Sequence, residues 1–358
     1  MRVAIIGRAT FFSVPGGDTV QAVQTAKHLL QEGVAVDLKL TNEAIDYARY
    51  DLLHFFNVIR PADILYHCRK AKKPYVISTI LADYSEFDQH HRKGLGRVLG
   101  FLPNDGIEYV KTVGRWLLGR DHLASKDYLW QGHRNSVKAI LKNAKMILPN
   151  SQSEYERLGQ MYLSGLDHQI IPNGVSPDLF RFDPNIKKDD KLVLCVARIE
   201  GLKNQINLIK AINNTDFKLL IIGAAAPNQK GYYQQCKAIA GKNVTFVDHL
   251  PQNELVTYYQ QAKVHVLPSW FETTGLSSLE AAIMGCNIVI TDKGDTREYF
   301  EDDAFYCDPD NPDSIREAIE KASTYLPSEN LKERIFKKFT WHEASLRTKQ
   351  AYCLVVAP

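Results

Sequence analysis

The chain has 358 residues, 45% of them hydrophobic, 10% aromatic and 24% charged, with a formal net charge of +3. That length exceeds one ordinary α/β core and suits two, and the composition is that of a folded globular protein, which excludes a disordered chain. So small a net charge gives no argument for nucleic acid, and no run of about 20 apolar residues offers a membrane span.

The opening MRVAIIG lacks the length and cleavage site of a signal peptide and reads as a first strand. Apolar runs of strand length then alternate with amphipathic stretches. VAIIG, a helix over 19–30 and VAVDLKL come first. DLLHFF, a helix over 62–71 and PYVISTI follow. KMILPNS, a short helix near 153–161 and HQIIPNGV complete this series. A second series runs LVLCVA, helix 205–212, FKLLIIGA, helix 232–240, VTFVDHL, helix 254–261, VHVLPS, helix 276–284, NIVIT and a helix from Ser314 to about Ala322. Such alternation predicts mostly parallel sheets with helices on both faces. The Pro-, Asn- and Gly-rich IPNGVSPDLFRFDPN separates the two series. It sets the expected domains at 1–172 and 173–339, with an amphipathic helix over 340–358 that starts at TWHE, where Thr340 suits an N-cap and Glu343 follows three residues on.

Residues 84–135 contain no clean strand and are read as an insertion in the first domain. Basic Arg92, Lys93, Arg97, Lys111, Arg115 and Arg120 interleave with apolar Leu99, Phe101, Leu102, Trp116, Leu117 and Leu118. Two readings stand side by side: a helical excursion packed on the first domain, or a surface that meets lipid head groups or a lipid-borne acceptor. The six cysteines, Cys68, Cys195, Cys236, Cys286, Cys307 and Cys353, form no CxxC pair. Cys195 and Cys353 sit in apolar, strand-like runs, so buried reduced thiols in a cytosolic protein are expected and a zinc site is not.

The segment carrying most chemistry is WFETTGLSSLEAAIMG, residues 270–285. Glu272 and Glu280 flank Gly275, after which a helix opens with Leu276, Leu279, Ala282 and Ile283 on its packing side. Free N–H groups and the helix dipole there favour a phosphate, and the two carboxylates can hold hydroxyls on either side of it. Unrelated acids on a solvated helix are the plainer alternative. In CVARIEGLKN, Arg198 and Lys203 stand at the end of an apolar strand, where paired cations suit a diphosphate, or are simply surface charge. Gly223 ends the strand FKLLIIGA and permits a tight turn toward a ligand. Gly16 and Gly17, in SVPGGDTVQ, resemble half of a phosphate loop, but neither GxGxxG nor GxxxxGK[ST] is present. Asp308 and Asp310 in DPDN suit turn and N-cap duty better than a metal clamp.

In order and spacing, IPNGV, CVARIEGLKN, IIGAAAP, VTFVDHLPQNEL, YYQQAKVHVLPSWFETTGLSSLEAAIMGCNIVIT and YCDPDNPDSIREAI resemble the retaining glycosyltransferases of the GT-B fold, a large family of mannosyl-, glucosyl- and N-acetylglucosaminyltransferases. The resemblance covers essentially the whole second half. The first half shares only the opening glycine loop and the strand–helix rhythm. It implies an α/β architecture of two doubly wound Rossmann-like domains facing across a cleft. It implies that Arg198 and Lys203 contact the donor diphosphate, and that Glu272 faces the donor sugar. The backbone of Thr274, Gly275 and Leu276 would cradle sugar and phosphate, Glu280 would hold the ribose, and His249 and Leu250 would border the base. The terminal helix at Trp341 would cross back to the first domain.

Three departures stand out. PYVISTILADYSEFD has no histidine where the family commonly has one, leaving Asp83 as the nearest polar candidate. Ala225 and Asp248 replace common glycines. The implied reaction moves a hexosyl or N-acetylhexosaminyl group from a UDP- or GDP-sugar to a sugar or lipid-linked acceptor in glycan or polysaccharide assembly, with retention and with no metal or other cofactor. The implied setting is cytoplasmic, with peripheral contact at the inner membrane face if the insertion meets lipid. A catalytically inactive nucleotide-sugar-binding or scaffold protein on the same fold is the alternative that the missing histidine motivates.

Overall fold

All strand pairings in the computed structural model, which describes residues 1–90, 104–118 and 123–357, are parallel. The reason is in the sequence: short apolar strands separated by helical stretches can return only by crossover. The described chain divides into two units, 1–173 with 341–358, and 174–340.

The first unit contains β1 (Arg2–Gly7), α1 (Gly17–Gln31), β2 (Ala35–Leu40), β3 (Leu52–Phe56), α2 (Pro61–Ala71), β4 (Tyr75–Ser78), α3 (Ser85–His90), α4 (Asn104–Leu117), α5 (Asp127–Asn143), β5 (Met146–Ile147) and α6 (Gln152–Met161). Its sheet has the order β2-β1-β3-β4-β5. Ala4, Ile6, Leu53 and Phe55 pack with Val137, Ile140, Leu141 and Leu158 of α5 and α6. The helix Trp341–Val356 belongs to this unit and lies along α1. It is fastened through buried His54, whose Nδ1 is 2.6 Å from the Tyr352 hydroxyl and whose Nε2 is 2.9 Å from Ser78 Oγ. Burial pushes His54 down to about 3, so the ring is neutral and offers one donor and one acceptor to these hydroxyls.

The second unit contains β6 (Asp189–Val196), α7 (Gln205–Ile212), β7 (Lys218–Ile222), α8 (Lys230–Ile239), β8 (Val244–Val247), α9 (Gln252–Gln261), β9 (Ala262–Leu267), α10 (Leu276–Ile283), β10 (Asn287–Thr291), α11 (Thr296–Phe300), β11 (Phe305–Cys307), α12 (Pro312–Thr324) and α13 (Glu329–Lys338). The order is β11-β10-β9-β6-β7-β8. Alternation along each strand splits the core in two. Val193, Cys195, Val264 and Val266 meet Leu208, Ile212, Ile315 and Ile319 on one face. Leu194, Leu267, Ile288 and Ile290 meet Leu255, Leu279, Ile283 and Ile335 on the other.

Four sequence expectations are corrected. Cys353 is exposed, not buried: it stands on the outer side of the helix Trp341–Val356, which lies where the expected terminal helix does. Cys68 is only partly buried. HQIIPNGV is not a strand: only isolated bridges form at its ends, His168 to Ile147 and Val175 to Thr340, and Pro172 and Asn173 keep the middle irregular. The strand β11 and the helix α13 were not anticipated, since β11 has three residues and α13 is strongly charged.

The insertion is helical where it is described. Its two readings divide within a few residues: Trp116 packs beside Ala62, Leu123 and Tyr128, whereas Leu117 and Leu118 are 71% and 67% exposed, and Trp130 on α5 is 90% exposed. Arg92, Lys93, Arg97, Leu99, Phe101, Leu102 and Arg120 lie outside the described residues.

Candidate functional site

In the second sheet, β6 leads through β7 to β8 on one side, and the chain then returns to place β9 on the other side of β6. The carboxyl ends of β6 and β9 therefore form a topological switch point, where open α/β sheets bind ligands. After β6 the chain makes one 3-10 turn, Gly201–Lys203, and Asn204 takes a left-handed φ of 59°. The Asn204 amide donates to the Pro268 carbonyl at 3.1 Å and the Pro309 carbonyl at 2.6 Å, tying this turn to the ends of β9 and β11. Trp270 N–H donates to the Leu202 carbonyl at 3.0 Å.

These bonds set Lys203 against the loop after β9. Lys203 Nζ lies 2.6 Å from Glu272 Oε2, with Ser269 Oγ donating to the same oxygen at 3.1 Å. Gly275 N–H reaches Glu272 Oε1 at 3.3 Å. The Glu272 backbone is fixed as well, donating to the Lys293 carbonyl at 3.1 Å and accepting from Asp295 N–H at 2.9 Å. Gly294 makes this approach possible: its φ is 105°, and a Cβ there would stand 2.2 Å from the Glu272 carbonyl oxygen.

Gly275, at φ 72°, opens α10, and Leu276 is the first helical residue. Thr274 Oγ1 is buried and donates to the Tyr299 hydroxyl at 3.3 Å. Glu280, inside α10, accepts from Gln252 Nε2 at 2.7 Å and from the Tyr259 hydroxyl at 2.9 Å. Burial pushes its carboxyl up to about 7, against the lowering effect of these two donors. The same burial, with the Glu280 charge, raises the Tyr259 phenol well above its usual value.

Arg198 stands at the same edge but is paired with Glu200, at 2.9 Å. Its loop is joined to the one after β7 by Ile199 N–H donating to Ala224 O at 2.9 Å and Ala226 N–H donating to Ile199 O at 3.1 Å. Gly223 lies where these loops meet, and a Cβ would come 2.0 Å from the Ala197 carbonyl oxygen. His249 is exposed, with its N–H on Asp248 Oδ1 at 2.7 Å, while Leu250 packs partly against the core. Asp308 closes a turn by accepting from Asp310 N–H at 3.0 Å, and Asn311 caps α12.

Gly16, Gly17 and Asp83 belong to the first unit. The loop before Gly16 and Gly17 is closed by Arg8, which meets Asp18 Oδ2 at 2.7 Å and donates to the Val14 carbonyl at 2.7 Å. Asp83 Oδ1 accepts from Ser85 N–H at 3.0 Å at the start of α3. Sequence reasoning missed Ser269, Gln252, Tyr259, Asn204 and Gly294. Only Gly294, in a DKGD turn after a strand, carried a local signal.

Residues 177–336 match the family described as Glycosyl transferases group 1. A D-inositol 3-phosphate glycosyltransferase of Corynebacterium glutamicum is 24% identical over 352 residues, covering 81% of this chain and 80% of that relative. Another curated relative matches over about half of its own length, 53%. Sucrose-phosphate synthase from Thermosynechococcus elongatus superposes with a TM-score of 0.77 at 19% identity, covering 100% of this chain and 99% of that one. Anabaena HepE in complex with UDP-glucose gives 0.71 at 15% identity, covering 99% and 100%. The family match thus covers most of the second unit, and the two parallel α/β units have the GT-B fold of these structures.

Proposed function

We propose that the protein transfers a sugar from a nucleoside diphosphate sugar to an acceptor hydroxyl, with retention at the anomeric carbon. The observation that carries this reading is the Lys203–Glu272 pair set directly before the Gly275-led helix that holds Glu280. Lys203, Arg198 and the N–H groups at Gly275 and Leu276 neutralise the diphosphate, which relieves the reaction of the need for a metal. Glu272 accepts from donor-sugar hydroxyls, Glu280 from the ribose, and His249 and Leu250 border the base. The bond from the anomeric carbon to phosphate breaks as the acceptor oxygen attacks the same face, and the acceptor proton passes to the leaving phosphate oxygen. Asp83 stands in for the family's histidine, and Gly16 and Gly17 let the first unit's opening loop approach the donor.

The HepE structure, solved with UDP-glucose, favours a UDP-sugar over a GDP-sugar. The sugar is hexosyl or N-acetylhexosaminyl, and the product enters glycan or polysaccharide assembly. No helix among the described residues is long and apolar enough to cross a membrane. The exposed Leu117, Leu118 and Trp130 are apolar side chains of the first unit that support peripheral contact with the cytoplasmic leaflet, where a lipid-linked sugar would be the acceptor. The missing histidine supports a second reading, a catalytically silent nucleotide-sugar-binding protein. A panel of UDP-, GDP- and ADP-sugars, scored first by thermal shift and then by donor turnover, tests both. Stabilisation with turnover supports the transferase, stabilisation without turnover supports the binding protein, and no stabilisation by any donor refutes both.

A further inference from the structure

Glu154, in the first turn of α6, is completely buried. Its N–H donates to Ser151 Oγ at 3.0 Å, an ordinary helix cap. Its carboxylate does something a cap does not require and reaches the loop that follows β4. Oε1 accepts from the Thr79 hydroxyl and from Leu81 N–H, the latter at 2.8 Å, while Oε2 accepts from Asn150 N–H at 2.8 Å. Three residues on, along the same face of α6, Arg157 donates to the Leu81 carbonyl from Nε at 3.1 Å and from a terminal nitrogen at 2.7 Å. Both backbone polar groups of Leu81 are therefore held by α6. Asn150 is tied in turn to α1, through Gln21 Nε2 donating to its Oδ1 at 2.7 Å.

The loop held in this way is strained. On its strand side, Asn57 and Val58 N–H donate to the Ser78 and Thr79 carbonyls at 2.8 and 3.1 Å, which fixes the chain up to Thr79. The next residue, Ile80, takes a φ of 48°, in the left-handed region that glycine enters freely and a β-branched side chain avoids. Such a conformation persists only where its surroundings over-determine it, and it collects at functional sites. The bonds from Glu154 and Arg157 to Leu81 supply that restraint. Packing of α6 on the sheet needs neither group, since Leu158 fills the core there and a buried carboxylate is costly unless donors surround it. Asp83 lies two residues beyond Leu81 and accepts from Ser85 N–H at 3.0 Å.

We infer that Glu154 and Arg157 are positioning residues for the transfer: they hold residues 79–83 in the strained shape and thereby fix where Asp83 stands. This rests on the transferase reading and on the place given there to Asp83. Neither residue touches the donor. Each acts through the loop, which is set before any ligand arrives, so their loss is felt in turnover and not in nucleotide affinity.

The test uses the full chain as wild type, Glu154→Gln, Arg157→Gln and the double variant Arg157→Gln with Ile80→Gly. UDP release from UDP-glucose gives kcat and KM, calorimetry gives UDP affinity, and hydrogen exchange reports on residues 79–83. Both single variants should lower kcat about tenfold or more, with donor KM and UDP affinity near wild type and faster exchange in the loop. Arg157 is only partly buried, so its variant keeps the test independent of any folding defect in Glu154→Gln. Glycine at position 80 adopts the left-handed shape without strain, so the double variant should recover kcat to within about threefold of wild type. A purely structural role predicts a lower melting temperature at unchanged kcat, and that result overturns the inference. So does a loss of kcat that Ile80→Gly leaves uncorrected. Both of these leave the transferase standing, whereas wild type that binds UDP yet releases none from any UDP-sugar refutes the transferase and this role together.

Discussion

Lys203 and Glu272, 69 positions apart in the chain, form an ion pair of 2.6 Å at the carboxyl edge of the second sheet. The cation assigned to the diphosphate and the carboxylate assigned to the sugar thus hold each other in place without ligand. Charge-assisted hydrogen bonds contribute roughly 1.5–3 kcal/mol. Lys203→Ala should therefore weaken UDP affinity about tenfold or more, and Arg198→Ala similarly. Glu272→Gln should spare UDP binding and lower turnover, because its partner in the complex is the sugar. Calorimetry with UDP, set beside initial rates, checks this, and equal loss of UDP affinity in the Lys203 and Glu272 variants contradicts the division of labour.

Glu280 gives the site a pH dependence. Its carboxyl sits at about 7 in the folded chain against 4.5 as an ordinary glutamate, so between these values the folded state holds a proton that the unfolded state has released. Stability must fall as pH rises through that window, by up to about 3 kcal/mol from this group. The ionised form is the better acceptor for ribose hydroxyls, so UDP affinity should climb as pH passes 7. Glu280→Gln should flatten both trends and weaken UDP binding throughout. Denaturant melts and UDP titrations from pH 5 to 8 read out both, and an unchanged pH profile in the variant would falsify the assignment.

Gly294 supports Glu272 from behind. A methyl at this position must push the Glu272 carbonyl away from its 2.2 Å approach. Gly294→Ala should destabilise the protein by roughly 1–3 kcal/mol and lower donor turnover. Thermal unfolding and rate measurements on the same preparation decide it. Wild-type melting and turnover would show that the loop adapts without cost.

Turnover should persist in excess EDTA, since the positive groups assigned to the leaving diphosphate belong to the protein. Asp308 and Asp310 are engaged in a turn. Activity lost on chelation and restored by manganese would overturn the metal-free reaction.

Vesicles provide the membrane test. Trp130, Leu117 and Leu118 are the most exposed apolar side chains among the insertion's described residues. Binding to anionic vesicles should be measurable at low salt and fall as salt rises, since each basic side chain near such a surface contributes about 1 kcal/mol. It should weaken in Leu117→Ser, Leu118→Ser and Trp130→Gln. Absence of binding at low salt leaves a soluble acceptor.

Much of the fold is written in local patterns. Helix 205–212 is found where the sequence puts it, and apart from β11 each strand overlaps its apolar run, with β6 and β9 beginning a few residues earlier at Asp189 and Ala262, because periodicity reports which faces are covered. Short or polar elements were lost for the same reason: β11 offers three residues, and the charged α13 buries only Leu331 and Ile335. AYCLVV, inside the helix expected over 340–358, misled only about Cys353, because an apolar run on an amphipathic helix does not say which of its residues face outward.

The site divides in the same way. Sequence alone determined that Arg198, Lys203 and Glu272 follow strands, that Gly275 opens a helix and that Glu280 lies within it, since strand–loop–helix punctuation is local. Tertiary structure decided their partners. Lys203 faces Glu272 while Arg198 turns to Glu200, and Glu280 lies under Gln252 and Tyr259 in surroundings dry enough to lift its carboxyl to about 7. Such pairings depend on which crossover brings β9 beside β6, and burial depends on what then covers the carboxylate. Neither is encoded within the few residues around each group.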